Sequence, residues 1–305
     1  MSAGPAGNRY RAAIVARAQA VFLGLAVGDA LGATTEFMKP GQIRERFGVH
    51  REITGGGWLN LPPGWVTDDT EMSLCVARAI AARGRWDLVG IADRFAQWLE
   101  GNPVDVGATC RRGIGDYIAR KQLETPPNRW DAGNGAAMRM APVALHALGD
   151  EPLMDRLAVE QARLTHNHPL SDAACVAVGR LIQRGILGTP FQGLRAAADH
   201  LVALHPEFTF DGYEGEATAY VADTLRTVLD AFFSTAGFEE CLVKTVNRGH
   251  DADTTGAIAG AIAGAHYGLP GIPRRWLQAL DPALREELAT LAAQLVGGSP
   301  LFSAT

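Results

Sequence analysis

The chain has 305 residues, a net charge of −5, 47% hydrophobic and 20% charged residues, an ordinary globular composition with enough apolar material for a core. No global basic field is available to attract nucleic acid or an anionic membrane, so any phosphate in a ligand must be met locally by metal ions, helix N-termini or single basic residues. The apolar runs 21–33 and 257–265 are too short to span a bilayer, which takes roughly 20 residues, and the first contains Asp29 and starts too late behind Arg9, Arg11 and Arg17 to read as a secretory leader.

In chain order, residues 1–8 (MSAGPAGN) are small and polar and read as a disordered tail, leaving 9–305 as one compact domain without repeats or linkers. Apolar residues then recur at three- and four-residue spacing over 72–82, 88–99, 153–164, 173–186 and 217–233. Glycine and proline clusters at 55–57, 62–64, 125–128 and 270–273 punctuate them, and runs of alternating β-branched residues are missing. The pattern predicts an all-α fold of roughly ten or more helices with little or no sheet. Cys75, Cys110, Cys175 and Cys241 form no CxxC pair and read as small buried residues in a reducing compartment.

Two segments carry glycine every fourth residue: Gly24, Gly28 and Gly32 in the first, and Gly256, Gly260, Gly264 and Gly268 in the second. Each glycine inside a helix costs about 1 kcal/mol relative to alanine, so the stripes predict two central helices whose backbones approach closely. Carboxylates gather where these stripes begin or end. Thr67-Asp68-Asp69-Thr70-Glu71 precedes an apolar helical run, Asp251-Ala252-Asp253-Thr254-Thr255 opens the second glycine stripe, and Glu36 follows the first. Helix capping accounts for the first two, with Asp68 as N-cap and Glu71 completing a capping box. Taken together, the carboxylates and threonine hydroxyls equally suit a pair of hard divalent cations, without which they would repel one another in one pocket.

The blocks GLAVGDALGATTEF, TGGGW, VTDDTEMSL, NPVDVGATCRRGI, GNGAAMR, THNHPLSDAA and VNRGHDADTTGAIAG resemble the ADP-ribosylglycohydrolase family, in order, from about residue 20 to 275. The closest resemblance is to its branch acting on ADP-ribosylated dinitrogenase reductase, the nitrogenase iron protein. It implies two Mn²⁺ or Mg²⁺ ions held by Glu36, Thr67, Asp68, Asp69, Asp251, Asp253 and Thr254. It also implies hydrolysis of the bond between ADP-ribose and a protein arginine, with Asp105 as an acid/base residue, where the plainer account is an N-cap for a helix over 109–119. The Gly133-Asn134-Gly135 loop is expected to run into a helix whose N-terminal amides receive the diphosphate, or to be a simple Asn-Gly turn. His166 or His168 is expected at the bound ADP-ribose and Tyr220 near the adenosine, each with a structural role as the alternative. The two histidines lack further ligands at zinc spacing.

The same resemblance implies a cytoplasmic enzyme recruited reversibly to the inner membrane by a PII-type nitrogen signalling protein and an ammonium transporter. One departure stands out: relatives often carry Gly-Gly before the Asp-x-Asp, where this chain has Gly249-His250-Asp251. Alternatives in other classes are a glycohydrolase for another linkage, such as ADP-ribosyl-serine, a silent relative and a module that only binds ADP-ribose. A silent relative would be expected to lose metal ligands, and all of them are present here.

Overall fold

A computed structural model describes residues 5–303. In chain order the longer helices are α1 (Pro5–Gly32), α2 (Pro40–Phe47), α3 (Asp68–Arg83), α4 (Leu88–Glu100), α5 (Ala108–Arg120), then the short α6 (Ala141–His146) and α7 (Glu151–Arg163). They continue with α8 (Pro169–Ile186), α9 (Phe191–Leu204), α10 (Val221–Ser234), α11 (Phe238–Val246), α12 (Ala252–Tyr267), α13 (Arg274–Ala279), α14 (Pro282–Gly297) and α15 (Pro300–Ser303). Among the described residues no sheet forms; the isolated bridges pair Gly56 with Leu61 and Gly133 with Tyr220. The all-α expectation holds. Of the expected tail, 1–4 lie outside the described residues, while 5–8 form the first turn of α1, a place where the fixed φ of Pro5 suits helix entry.

The fold is organised on α1 and α12, which cross antiparallel with their glycines facing. A Cβ on Gly24 would collide with the Gly260 carbonyl, one on Gly28 with Gly256, and one on Gly32 with Ala252. The backbones therefore touch, and the helical cost of each glycine is offset by dispersion along the whole crossing. Every residue of α12 from Ala252 to Ala265 is buried. α1 is long and apolar enough to cross a membrane by composition, but 78% of its apolar window is buried inside the fold. α14 packs against α1, while α8, α10 and α11 pack against α12, giving one continuous apolar cluster from Ile14 to Val296. All four cysteines are free and buried within it.

This arrangement has a directional consequence. Because the pair is antiparallel, the end of α1 meets the start of α12, and α3 begins beside both. Glu36, four residues past α1, is thereby delivered to Asp251 and Asp253 at the head of α12.

One helix starts later than its periodicity predicts. The 217–233 pattern becomes helical only at Val221, because 217–220 runs extended: Ala217 accepts from the Asp251 amide, Ala219 from the Asn134 amide, and Val221 donates to Ala132. These backbone ties hold the segment against the cavity described next.

Candidate metal centre and substrate cavity

A cavity of about 610 Å³ opens over the junction of α1, α3, α5 and α12, a size suited to a nucleotide-like ligand. Its floor carries Glu36, Asp68, Asp251, Asp253 and Thr254; Asp105 lies on its wall. Glu36, Asp251 and Asp253 each offer an oxygen, and these atoms lie within 4.8 Å of one another. Thr67 and Asp69 sit just beneath, fully buried. Thr254 Oγ1 donates to Asp69 Oδ2 at 3.1 Å and Thr67 Oγ1 lies 3.2 Å from the same oxygen, so the expected ligands include two triads, Thr67, Asp69 and Thr254 in one and Glu36, Asp251 and Asp253 in the other. Asp68 joins through its field on Glu36 and Asp69.

The capping account of these residues fails in detail. Thr67, not Asp68, is the N-cap of α3, its hydroxyl accepting from the Asp69 amide; Asp68 is freed to accept the Gly107 amide at 3.1 Å. Glu71 closes no capping box, because its carboxylate accepts from Trp98 Nε1 at 2.7 Å. Asp251 occupies the N-cap position of α12 but makes no side-chain cap; Asn134 Nδ2 donates to it instead. The N-termini of α3 and α12 still place their positive ends at the cluster.

Electrostatically the group is unfinished. Burial, the Asp105 charge and its carboxylate neighbours push Asp68 up to about 8, and burial with the charges of Asp105, Asp251 and Asp68 pushes Glu36 up to about 8 as well. Asp69 and Asp253 are raised well above the usual carboxylate range by burial first and like charges second. Their hydrogen bonds come from backbone amides, threonine hydroxyls, Asn134 and Trp58, none from lysine or arginine. Asp69 Oδ1 and Asp253 Oδ1 are buried with no partner. Two orphaned carboxylate oxygens in one cluster, beside threonine hydroxyls, are the donor set that a hard divalent cation completes. The residues present fit such ions.

Asp29 escaped the sequence reading as a site residue. It is fully buried in α1, one turn before Gly32, and its carboxylate accepts from the Thr67 amide (3.0 Å), Thr67 Oγ1 (3.0 Å), the Thr70 amide (3.1 Å) and Thr70 Oγ1. Burial outweighs these bonds and lifts it to about 7. It ties α1 to the first turn of α3 and orients Thr67. The signal available was a lone acid inside an apolar glycine stripe, which needs buried donors from elsewhere in the chain.

Asp105 precedes the N-cap of α5, which is Gly107, so the N-cap account is also set aside. Its half-buried carboxylate accepts from the Val106 amide at 2.7 Å, and burial raises its pKa. Gly107 provides no side-chain cap, and Ala108 and Thr109 line the cavity, so the uncapped N-terminus of α5 opens onto it. The expected helix after Gly133-Asn134-Gly135 is not there: a turn over 135–139 intervenes before the six-residue α6. Gly133, Asn134 and Gly135 all line the cavity, and the Asn134 side chain donates to Asp251 and Thr224.

His166 lines the cavity, buried, but His168 does not; its Nδ1 accepts from the Leu170 amide as the N-cap of α8. Tyr220 is 40% exposed and stands outside the wall, which at that point is built by Thr218 and Ala219. At the mouth, Phe37 and Trp58 pack edge to face at 5.2 Å, and Trp58 Nε1 donates to Glu36. His250, the departure noted above, adopts φ 56°, a left-handed conformation unusual for a side chain larger than glycine, and faces the cavity. Reciprocal backbone bonds hold it there, from the His250 amide to Met38 (2.8 Å) and from the Phe37 amide to His250 (2.6 Å).

Residues 10–301 match the sequence model of the ADP-ribosylglycohydrolase family. The chain is 52% identical over 272 residues to an ADP-ribosyl-[dinitrogen reductase] glycohydrolase of Rhodospirillum rubrum, covering 89% of this chain and 92% of that one. It is 31% identical to an ADP-ribosylarginine hydrolase Tri1 of Serratia proteamaculans (strain 568), covering 93% and 80%. A solved structure described as an ADP-ribosylglycohydrolase-related protein complex superposes with a TM-score of 0.81 at 37% identity, covering 93% of this chain and 98% of that one.

Proposed function

The chain belongs to the ADP-ribosylglycohydrolase family, and from that premise we propose that it hydrolyses the N-glycosidic bond between ADP-ribose and an arginine side chain, with ADP-ribosylated dinitrogenase reductase as its protein substrate. The observation that carries this reading is the set of carboxylates with unpartnered buried oxygens under a cavity of nucleotide size. The similarity to the Rhodospirillum rubrum glycohydrolase supports the choice of target.

Glu36, Thr67, Asp68, Asp69, Asp251, Asp253 and Thr254 would hold two divalent ions, Mn²⁺ or Mg²⁺. When bound, such ions supply Lewis acidity and orient ribose hydroxyls beside the scissile bond. The chain's own residues do the rest. Asn134 fixes the orientation of Asp251, and Asp29 that of Thr67. Gly133 and Gly135 leave room for the ligand, and the open N-terminus of α5 favours the negative diphosphate over a neutral group.

In the reaction, water oxygen bonds to the anomeric carbon as the carbon–nitrogen bond breaks, and the departing guanidine nitrogen needs a proton. Asp105, raised in pKa and half-exposed on the cavity wall, is suited to hold that proton on its carboxyl group and pass it on. The same carboxyl can take the proton of the attacking water, which balances the cycle.

The enzyme is read as cytoplasmic, with a PII-type signalling protein and an ammonium transporter as recruiting partners; this part rests on the resemblance to the branch alone. Release of ADP-ribose from ADP-ribosyl-arginine is expected with added Mn²⁺ and lost with EDTA. Equal release in both tubes, or release from ADP-ribosyl-serine in preference, would contradict the proposal.

A further inference from the structure

Outside the carboxylate cluster the core holds one fully buried arginine, Arg139, whose guanidinium has no exposed surface among the described residues. It donates through Nε to Gln161 Oε1 (2.7 Å), through Nη1 to the Gly135 carbonyl (3.0 Å), and through Nη2 to the Gln161 carbonyl (3.0 Å) and Thr165 Oγ1 (2.7 Å). None of these acceptors is a carboxylate. A buried charge satisfied only by neutral groups is expensive, and it stands directly behind the cavity wall made by Gly135 and His166.

The hydrogen-bond chain continues with a defined direction. A guanidinium only donates, so Thr165 Oγ1 uses a lone pair for Arg139. The same oxygen lies 2.8 Å from His166 Nδ1, and its hydroxyl proton has no other acceptor among the described residues. Directing that proton to Nδ1 satisfies the Thr165 hydroxyl and Nδ1 together; the opposite tautomer leaves the hydroxyl proton with nothing to bond. Nδ1 is then the acceptor and the ring proton resides on Nε2.

Burial, with the positive charges of Arg139 and Arg112 added, holds the His166 pKa well below its ordinary value, so the ring stays neutral. The Nε2 edge lies against the two glycines of the wall, where a Cβ on Gly133 would come within 2.9 Å of Nε2 and one on Gly135 within 3.3 Å. Nε2 has no partner among the described residues, although the ring is only 2% exposed.

We propose that Arg139 and Thr165 are positioning residues that hold His166 as a neutral Nε2–H donor, aimed past Gly133 and Gly135 at an acceptor oxygen of the ADP-ribose moiety. The inference rests on the function proposed above and adds the role of the donor and the two residues that set it. A neutral donor recognises a hydroxyl or phosphate oxygen without adding a charge that would have to be neutralised again on product release.

The first test is nitrogen NMR of ¹⁵N-histidine-labelled, Mg²⁺-saturated protein. His166 is expected as the Nε2–H tautomer, unchanged from about pH 6 to 8, where a free imidazole titrates. An Nδ1–H ring, or one that titrates in that range, overturns the relay without reference to any variant.

The second test is calorimetric binding of ADP-ribose. Thr165→Val is expected to weaken it roughly ten-fold and to raise KM with kcat nearly kept, and Thr165→Ser to restore most of the loss. A natively folded Thr165→Val protein with wild-type affinity contradicts the proposal. Failure of the wild-type protein to bind ADP-ribose at all would instead overturn the functional reading, and with it the identity of the acceptor.

Discussion

The middle and the end of the α1–α12 pair make opposite demands on the same two helices. In the middle, Gly24, Gly28, Gly256 and Gly260 let two uncharged backbones touch. At the end, where α1 gives way to Glu36 and α12 starts at Asp251, the same closeness forces carboxylates together with buried oxygens unpartnered. The first region stabilises the fold at no electrostatic cost. The second costs stability until a cation is bound, and is held in place by the first. Function here is built as a local deficit on a rigid crossing.

The sharpest way to break that comparison is in the middle. Gly28→Val would drive a branched side chain into the Gly256 carbonyl, beyond the ordinary overpacking penalty of about 1–3 kcal/mol, because backbone on both sides cannot yield. Thermal unfolding should show the largest loss of any change described here, with metal binding lost along with the fold. A near-native melting temperature would mean the crossing is not the frame.

At the other end, Asp251→Ala or Asp69→Ala should leave the helical circular-dichroism signal largely intact while activity falls by orders of magnitude. Asp105→Asn should keep metal affinity and slow hydrolysis by about 10²–10⁴-fold, the usual worth of a general acid or base. An unchanged rate removes Asp105 from proton transfer. Smaller again, Asp29→Asn trades a carboxylate acceptor of four donors for an amide and is expected to weaken metal affinity roughly 10- to 100-fold, as loss of an orienting partner does. Calorimetry with Mn²⁺ measures it directly.

The deficit also predicts a pH trend. Glu36 and Asp68 stand at about 8 in the metal-free fold, against roughly 4 when unfolded. Between those values the folded state holds protons that the unfolded chain has released. The contribution to stability is thus full below about pH 4 and declines as pH rises through about 8. EDTA-treated protein should therefore melt lower at about pH 8 than at about pH 6, and added Mn²⁺ should stabilise it more at the higher pH, since ligands must be deprotonated to bind. A melting temperature indifferent to both would show the carboxylates are already neutralised by something else.

Much of this was legible in the residues, for identifiable reasons. The glycine stripes announced close helix contact because nothing else offsets their helical cost, and the carboxylate blocks announced a cluster because so much charge exceeds what a cap needs. What was hidden depends on contacts distant in sequence. The capping account gave Asp68 the place that Thr67 takes, because the freed carboxylate has a better partner in Gly107, 39 residues away. The 217–220 segment is apolar enough for helix but is claimed by backbone bonds from 132, 134 and 251. His166 and His168 look alike in THNHP, yet one lines the cavity and the other caps α8. Asp29 and Arg139 each read as isolated charges until the fold brings their partners.

The most direct test of the account is a titration of metal-free protein with Mn²⁺, following free ion by electron paramagnetic resonance. The account predicts about two ions bound per chain, reversed by EDTA, with binding severely weakened in Asp251→Ala. No saturable binding by wild-type protein, or full binding by the Asp251→Ala protein, would contradict it.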